Sequence, residues 1–450
     1  MKFGGTSVGD ADAMRRMCRI VEREHRPRLV VVSALSGVTD LLFTLAAAAG
    51  RGEAVGAEGE VLRRRHHEMT AQVASPSVRA RVAREIDATC DELASLLHAV
   101  SVLHELTPRS TDAIVAFGER LSSRLAAGAL ASTTAGATWI DAADILVTDA
   151  THGRAVPQIN ATSVRVRALA TLVLDAGAVG VVSGYIGATT ERVTTTLGRG
   201  GSDYSAAVFA VALDAAELQI WTDVDGMLTA DPRIVATAKL VPQLSYAEAS
   251  ELAYFGAKVL HPESIQPAIR RDLAVRILNA RRPEGAGTTI SAAPLARSGT
   301  VTALACKRDV TVIEITSARM LMAHGFLKRL FDVFDRFSTA VDVVTTSEVN
   351  VSVTIDDASR LEGLAAELST FAAVTTEPEM ALLCVVGDTL HDDPTMLGAV
   401  IGALDGIHCR MVSQSASRRN ITLVIAERDL ADAMTRLHDH FFGRSHAATA

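Results

Sequence analysis

Residues 194–207, with the sequence TTTLGRGGSDYSAA, form the stretch around which the rest of the chain can be ordered. It places glycines, hydroxyl groups, the guanidinium of Arg199 and the carboxylate of Asp203 directly before an alanine-rich apolar run. Glycines let the backbone approach a ligand closely, and Ser202 or Asp203 can cap the helix that the apolar run predicts. A helix N-terminus beside Arg199 favours an anion such as a carboxylate or a phosphate. The alternative is a glycine-rich turn before an ordinary helix.

The composition is typical of a multidomain globular protein. The chain has 450 residues, of which 48% are hydrophobic and 21% charged, and this length predicts about three domains. Its formal net charge of −8 argues against a nucleic-acid partner, which would favour a basic face. The five cysteines are scattered without C-x-x-C pairs, so we expect neither disulfides nor a zinc site. Because no apolar run is long enough to cross a bilayer and no signal-peptide pattern is present, we expect a cytoplasmic protein without membrane contact.

Two further polar turns lie near the N-terminus. Residues 2–7, KFGGTS, place Lys2 before the glycines, which is the reverse of the order in a Walker A loop. Residues 28–34, RLVVVSA, predict a buried strand, and residues 33–40 lead from it into a helix through hydroxyls and a glycine. Alternating buried strands and helices predict an α/β fold that binds its ligand at the carboxyl ends of the strands.

The last third of the chain has a different pattern. Residues 281–300 are rich in Gly, Pro and small side chains, so we place a domain boundary there. Beyond it, strands and helices alternate roughly as βαββα and then as βαββα again, which indicates a repeated module. Small modules of this kind without a polar cleft are more often binding domains than catalysts.

Five motifs in a fixed order indicate a family. They are KFGGTSV at residues 2–8, FGE at 117–119, TTLGRGGSD at 195–203, WTDVDG at 221–226 and FGAKVLHP at 255–262. Together they resemble the aspartokinases, and the resemblance extends over essentially the whole chain. It implies an α/β amino-acid kinase domain, a carbamate kinase-like αβα sandwich, followed by two α+β regulatory ACT modules of the βαββαβ ferredoxin-like type.

The resemblance also implies domain limits and a reaction. We predict a catalytic kinase domain at residues 1–282, a linker at 283–303, a first ACT module at 304–384 and a second at 385–450. One strand of the second module would come from residues 300–308. The implied reaction is ATP-dependent phosphorylation of the L-aspartate side-chain carboxylate to 4-phospho-L-aspartate, the first step of lysine, threonine and methionine biosynthesis.

The resemblance assigns roles to residues of the kinase domain. Lys2 would hold the transferring phosphoryl group with the amides of Gly4 and Gly5. Asp203 would hold Lys2 or the substrate amine, and Glu119 would bind the ammonium group of aspartate. The other predicted substrate-binding residues are Thr39, Arg199 (as a clamp on the α-carboxylate), Gly200, Gly201 and Ser202. The predicted nucleotide-binding residues are Lys2, Thr222, Asp223, Leu228, Arg233, Lys258 and Val259. Mg²⁺ would bridge the phosphates of ATP, and no protein metal site is assigned.

The first ACT module resembles that of the lysine-sensitive class, so we expect feedback inhibition by lysine. A loop and a helix N-terminus would hold the carboxylate of the effector, and Asp342 would meet its amino group. A serine is usual where Ala323 stands, and the alanine is expected to weaken lysine binding. The predicted effector-binding residues are Met320, Ala323, Gly325, Phe326, Leu327, Asp342, Thr346, Ser347 and Glu348.

Two other functions fit parts of the same pattern. One is a kinase for another amino acid of the same fold, such as glutamate or N-acetylglutamate. The other is a non-catalytic amino-acid sensor in which the ACT modules work beside a vestigial kinase half. Retention of Lys2, Glu119, Arg199, Asp203 and Asp223 together favours the enzyme. ACT modules usually pair edge to edge, so we expect a homodimer through these modules, or a tetramer.

Overall fold

A computed structural model describes residues 1–133, 136–256, 262–292, 301–317, 324–388, 390–414 and 418–443. The chain forms two compact units. The first comprises the described residues of Met1–Met227, Pro242–Tyr246 and Val259–Pro294, and the second those of Leu228–Val241, Ala247–Lys258 and Leu295–Ala450. Two short segments, 228–241 and 247–258, therefore group with the C-terminal residues, although both precede the predicted end of the kinase domain at residue 282.

An eight-stranded sheet forms the centre of the first unit. The strands of this unit are β1 (Lys2–Phe3), β2 (Leu29–Val32), β3 (Ala137–Ile140), β4 (Val179–Ser183), β5 (Ile186–Ala188), β6 (Thr194–Thr196), β7 (Leu218–Thr222), β8 (Gln243–Ser245), β9 (Val275–Asn279) and β10 (Thr288–Ser291). The sheet has the order β3-β4-β2-β1-β7-β9-β10-β8, and its neighbours are parallel except for β9 and β10. β5 and β6 form a separate antiparallel ribbon. The predicted α/β fold with buried parallel strands is confirmed.

Helices cover both faces of this sheet. The first eleven helices of the chain are α1 (Gly5–Val8), α2 (Ala11–Arg23), α3 (Val38–Gly50), α4 (Gly56–Val73), α5 (Pro76–Leu103), α6 (Pro108–Ala131), α7 (Ala142–Ile145), α8 (Ile159–Asp175), α9 (Gly201–Ala212), α10 (Tyr246–Tyr254, mostly in the second unit) and α11 (Gln266–Ile269) among the described residues. All four residues of β2, LVVV, are buried, as expected for a parallel strand covered on both faces. Phe3, Val30 and Val32 share a core with α2–α6, while α8 and α9 pack against the sheet from the other side.

A six-stranded antiparallel sheet forms the centre of the second unit. Its strands are β11 (Ala303–Thr316), β12 (Val344–Thr346), β13 (Asn350–Ile355), β14 (Ala373–Val386), β15 (Cys409–Gln414) and β16 (Asn420–Ala426). Its helices beyond α10 are α12 (Phe326–Arg336), α13 (Leu361–Leu368), α14 (Met396–Ala403) and α15 (Leu430–Phe442) among the described residues. The strand order is β12-β13-β11-β14-β16-β15.

The long strands β11 and β14 run through both predicted ACT modules. The register between them shifts from Lys307 to Val312, which marks a bulge in the middle of the pair. Helices α12 and α13 pack in one core beyond the bulge, and α14 and α15 pack in a second core before it. The predicted module limit at residue 384 therefore falls inside β14, because one strand serves both modules.

The predicted linker at 283–303 also differs from the structure. Thr288–Ser291 form β10 of the first unit, and β11 begins at Ala303, within the same range. Gly287 has a φ of +67°, and an added Cβ would lie 2.3 Å from the carbonyl oxygen of Ile277. This glycine therefore permits the close approach of two antiparallel strands and does not mark a flexible linker.

Candidate active site

The carboxyl ends of β1, β2 and β4 open into a cleft of about 360 Å³ in the first unit. Lys2 pairs in register with Val31, and Val31 with Val182, so the turns after these parallel strands meet at one edge of the sheet. The N-termini of α3 and α9 border the same cleft. Eight of the predicted site residues line it: Lys2, Gly5, Thr39, Glu119, Gly200, Gly201, Ser202 and Asp203.

An ion pair joins the first strand to the start of α9. The Nζ atom of Lys2 lies 2.7 Å from Oδ1 of Asp203, and the two side chains are 11% and 14% exposed. A pair held this far from water is screened little by salt, and each charge offsets the other, although Oδ1 of Asp203 has no hydrogen bond of regular geometry among the described residues. Lys2 therefore faces the cleft in a fixed position, and Asp203 is the residue that fixes it.

The backbone after β1 lies close to its neighbours. The amide of Gly4 donates to the carbonyl of Trp221 at 3.1 Å, so it ties β1 to β7. This contact corrects the predicted phosphate contact of the Gly4 amide, because that donor is already used within the sheet. A Cβ on Gly5 would lie 3.0 Å from the carbonyl oxygen of Ala34. A side chain at residue 5 would therefore push apart two turns that line the cleft.

The turn before α9 needs two glycines. Gly198 and Gly200 have φ angles of +75° and +70°, which side chains with a Cβ disfavour. Gly200 is the N-cap of α9, so the predicted capping by Ser202 or Asp203 is wrong, and both residues lie in the first turn instead. Arg199 stands exposed between the two glycines, and we find no ion pair to it in the described part of the chain.

Glu119 is a buried carboxylate on α6 at the back of the cleft. Its residue exposure is 3%, and its Oε1 accepts from the backbone amide of Ala34 at 3.2 Å. Its other oxygen, Oε2, is buried without a hydrogen-bond partner among the described residues. Burial raises the pKa of Glu119 to about 8, although the backbone amides act to lower it. Such a group is suited to bind a cation that enters the cleft.

The predicted nucleotide-binding residues are divided between the two units. Thr222 ends β7 in the first unit, and its hydroxyl donates to the exposed Asp223 at 3.3 Å. Leu228 and Arg233 belong to the second unit, where Arg233 forms a fork with Asp231. Lys258 and Val259 lie outside the described residues.

The predicted effector residue Asp342 already contacts two side chains within the second unit. Lys307 Nζ lies 2.7 Å from its Oδ1, and the hydroxyl of Tyr254 donates to the same oxygen at 3.2 Å. Burial acts to lower the pKa of Lys307, but hydrogen bonds to Asp342 and Asp356 outweigh it and the pKa is raised. Oδ2 of Asp342 is buried without a partner among the described residues.

The other predicted effector residues lie nearby along the chain. Gly325, with a φ of +85°, is the N-cap of α12, and Phe326 and Leu327 begin that helix. Thr346 ends β12, and the amide of Ser347 donates to the carbonyl of Asn350 at 2.8 Å. Glu348 is exposed. Met320 and Ala323 lie outside the described residues.

Tyr185 also lines the cleft, although its sequence context predicts no role for it. It follows Gly184 in the loop after β4 and has a φ of +64°, which is uncommon for a residue with a side chain. Its amide donates to Oγ of Ser205 in α9 at 2.9 Å, which holds this backbone in place. Burial raises the pKa of its hydroxyl group. The sequence predicts a strand before Gly184, but this pattern does not indicate that the side chain of the next residue lines a cleft.

Comparison with known families gives two matches. Residues 1–279 match the amino acid kinase family, and residues 383–441 match the ACT domain. None of the helices among the described residues is both long and apolar enough to cross a membrane.

Similar proteins and structures agree with these matches. The chain is 36% identical to the lysine-sensitive aspartokinase 3 of Escherichia coli over 98% of both chains. It is 34% identical to the chloroplastic aspartokinase 1 of Arabidopsis thaliana, over 98% of this chain and 80% of the relative. The crystal structure of E. coli aspartokinase III in complex with lysine and aspartate superposes with a TM-score of 0.84 at 34% identity, covering 98% of both chains. A structure of the same enzyme with aspartate and ADP gives a TM-score of 0.82 at 34% identity, covering 98% of this chain and 99% of that one.

Proposed function

We propose the roles of individual residues from one premise: the chain belongs to the aspartokinase family, with a catalytic domain of the amino acid kinase type. It is an ATP-dependent kinase that phosphorylates aspartate. An oxygen of the substrate's side-chain carboxylate bonds to the γ-phosphorus of ATP while the bond from that phosphorus to ADP breaks. The products are 4-phospho-L-aspartate and ADP.

The observation that supports the substrate assignment is the uncompensated carboxylate of Glu119. A buried carboxylate without a cation is costly, and the ammonium group of aspartate supplies the missing charge. Arg199 extends from the turn between Gly198 and Gly200 and would clamp the α-carboxylate with its planar fork. Thr39 and Ser202 line the same cleft and would orient the bound amino acid.

Lys2 and the turn before α9 would neutralise the charge that develops on the phosphoryl group. Lys2 is the cation of the cleft that the structure holds in place, through Asp203. The N-terminus of α9 at Gly200 borders the cleft, where the helix dipole favours an anion, while the amide of Gly201 donates to the carbonyl of Gly198 at 3.0 Å. The nucleophile is a carboxylate that is already ionised at neutral pH, so no general base is needed and Asp203 can remain paired.

We propose that Mg²⁺-ATP places its γ-phosphoryl group at this cleft, beside Lys2. When bound, Mg²⁺-ATP supplies the γ-phosphoryl group and neutralises phosphate charge. Mg²⁺ takes most of its ligands from phosphates and water with one or two carboxylates, and Asp40 is a cleft carboxylate that would be available to it besides Glu119 and the paired Asp203. Among the described residues no cluster of three metal-ligating side chains forms a separate cage. Within the first unit, we assign Lys2, Thr222 and Asp223 to the nucleotide.

Lysine is the proposed feedback inhibitor, acting through the first ACT module. The E. coli relative is named for its lysine sensitivity and was crystallised with lysine. Asp342 would bind an amino group of the effector, and the N-terminus of α12, which Gly325 precedes, would hold its carboxylate. We further propose a homodimer that pairs through the ACT modules, or a tetramer, and a cytoplasmic location.

The experiment that tests these roles measures ADP release with aspartate as the acceptor. Arg199→Ala and Glu119→Gln should each raise the KM for aspartate by about tenfold or more, since each removes a charged hydrogen bond to the substrate. Arg192→Ala is the matched control, because Arg192 pairs with Asp144 on the surface of the same unit. A KM for aspartate near the wild-type value in both cleft variants would contradict the substrate clamp. Turnover with glutamate or N-acetylglutamate but not with aspartate would favour the alternative function, a kinase of the same fold for another amino acid.

A further inference from the structure

Asp112 is a second buried carboxylate on α6, two helical turns before Glu119. Its residue exposure is 1%. Its Oδ1 accepts from the hydroxyl of Thr196 at 2.5 Å, and its Oδ2 lies 2.7 Å from Nδ1 of His152. The amide of Gly153 donates to both oxygens at 3.1 Å. Unlike Glu119, this carboxylate therefore has donors on both oxygens, and it does not line the cleft.

These contacts connect α6 to β6 and to the loop at residues 152–153. Both segments meet at the turn of residues 198–200, which carries Arg199. Thr196 is the last residue of β6, and Gly198 follows it by two residues. The missing Cβ of Gly198 leaves room for the carbonyl oxygen of Gly153, which would lie 2.9 Å from that atom. One carboxylate, that of Asp112, thus fixes both the strand that enters the turn and the loop that supports it.

The connection also reaches the cleft wall. Tyr185 lines the cleft, and its carbonyl accepts from the amide of Leu197, the residue after Thr196, at 3.0 Å. The contact between Asp112 and Thr196 therefore reaches the cleft wall through the backbone of Leu197.

We propose that Asp112, with His152 and Thr196, is a positioning residue that holds the turn carrying Arg199 against the cleft. The inference rests on the proposed clamp between Arg199 and the α-carboxylate of aspartate. Arg199 has no partner of its own among the described residues, so the direction of its side chain depends on the backbone at Gly198 and Gly200. Loosening that backbone should affect the KM for aspartate more than the KM for ATP, because the proposed clamp joins Arg199 to the amino acid.

Two adjacent threonines provide a matched test. Thr195 and Thr196 are both buried on β6, but Thr195 hydrogen bonds to Thr148 at 2.7 Å on the other face of the strand. Thr196→Val and Asp112→Asn should raise the KM for aspartate by about tenfold and leave the KM for ATP within about twofold. Thr195→Val removes a hydrogen bond of the same kind and should leave both constants within about twofold.

A double-mutant cycle separates positioning from general stability. If Asp112 and Thr196 act through Arg199, then Thr196→Val should add less than about twofold to the KM of Arg199→Ala. The inference would be overturned if the increases in the KM for aspartate multiplied in the double variant. It would also be overturned if the KM for ATP rose equally, or if Thr195→Val raised the KM for aspartate as much as Thr196→Val. Circular dichroism and a melting curve show which variants fold, and His152→Gln replaces Asp112→Asn if the latter does not. A normal KM in Arg199→Ala alone would refute the proposed clamp itself, and the inference with it.

Discussion

The pH dependence of aspartate binding should follow the ionisation of Glu119. Burial raises its pKa from 4.5 to about 8 without substrate, so about 1% of it is ionised at pH 6, about 9% at pH 7 and about 50% at pH 8. The ionised form is the one that attracts the ammonium group of aspartate. Because apparent affinity scales with the fraction in the competent form, the KM for aspartate should fall about fifty-fold from pH 6 to pH 8.

Glu119→Gln removes this titration without changing the size of the side chain. Its KM for aspartate should be high and nearly independent of pH, since an amide neither ionises nor attracts the ammonium group strongly. Calorimetry gives a second measurement, because binding to the wild type at pH 7 should release about 0.9 proton and binding to the variant none. Titrations in buffers of different ionisation enthalpy count these protons. Glu53→Gln, at an exposed carboxylate, is the control and should keep the wild-type slope.

Two results would refute this reasoning. One is a wild-type KM that changes less than about threefold between pH 6 and pH 8. The other is an unchanged slope in Glu119→Gln, which would assign the titration to a different group.

The raised pKa of Glu119 also makes the free energy of unfolding without ligand depend on pH. The folded state keeps the proton of Glu119 up to about pH 8, whereas an unfolded chain loses it near the ordinary value of 4.5. Between these values the folded state binds more protons, so this group's contribution to stability falls as the pH rises, by about 1.4 kcal/mol per pH unit. Glu119→Gln lacks that slope, so wild type should become less stable relative to the variant toward pH 8. Parallel denaturant titrations at pH 5, 6.5 and 8 would measure the difference, and a constant difference would contradict the raised pKa.

Three further substitutions give separate tests. Lys2→Met should lower kcat by about 10²-fold or more, since it removes the cation facing the phosphoryl group, and an unchanged kcat in a folded variant would exclude that role. Lys307→Met should strengthen inhibition by lysine about tenfold in an activity assay, because the ammonium group of Lys307 no longer competes with the effector for Asp342. Unchanged or weaker inhibition would show that Lys307 and the effector do not compete. Gly198→Ala should lower the melting temperature and raise the KM for aspartate, because a φ of +75° costs a side chain about 1–2 kcal/mol, and a variant as stable and active as wild type would show that the turn can relax.

Part of the cleft lining could be predicted from the sequence. Lys2, Glu119 and residues 200–203 are far apart along the chain, and the structure brings them to one cleft. Lys2 lies in a parallel strand, as the α/β pattern predicts, whereas Glu119 lies within α6 and residues 200–203 follow an antiparallel ribbon. The resemblance to aspartokinases and the fold class are both confirmed by the matches with known families and structures. Local pattern was sufficient for the fold class, because each element buries its own apolar face against an adjacent layer, whereas the site residues were predicted from the resemblance.

Local pattern could not predict that residues 228–241 group with the C-terminal residues in the second unit. Ala230 and Val235 lie in the core of the second unit with α14 and α15, and the hydroxyl of Thr229 hydrogen bonds to the buried His438 at 2.9 Å. These are packing contacts between residues about two hundred positions apart, and no local periodicity records them. The composition around Gly287 was misleading for a related reason, since glycine serves both flexible linkers and close strand contacts.

Three carboxylates of the first unit, the buried Glu119 and Asp112 and the partly buried Asp203, differ in the groups that compensate their charge, and that difference separates their roles. Asp203 has the ammonium group of Lys2, and Asp112 has donors on both oxygens, so neither requires a ligand to be satisfied. Glu119 has backbone donors on one side and a buried oxygen without a partner among the described residues. Since burying a charge without compensation costs several kcal/mol, the folded protein keeps Glu119 protonated until a cation arrives. Aspartate carries such a cation, so its binding and the ionisation of Glu119 should occur together, whereas Asp112 and Asp203 hold the loop and the lysine that act on it.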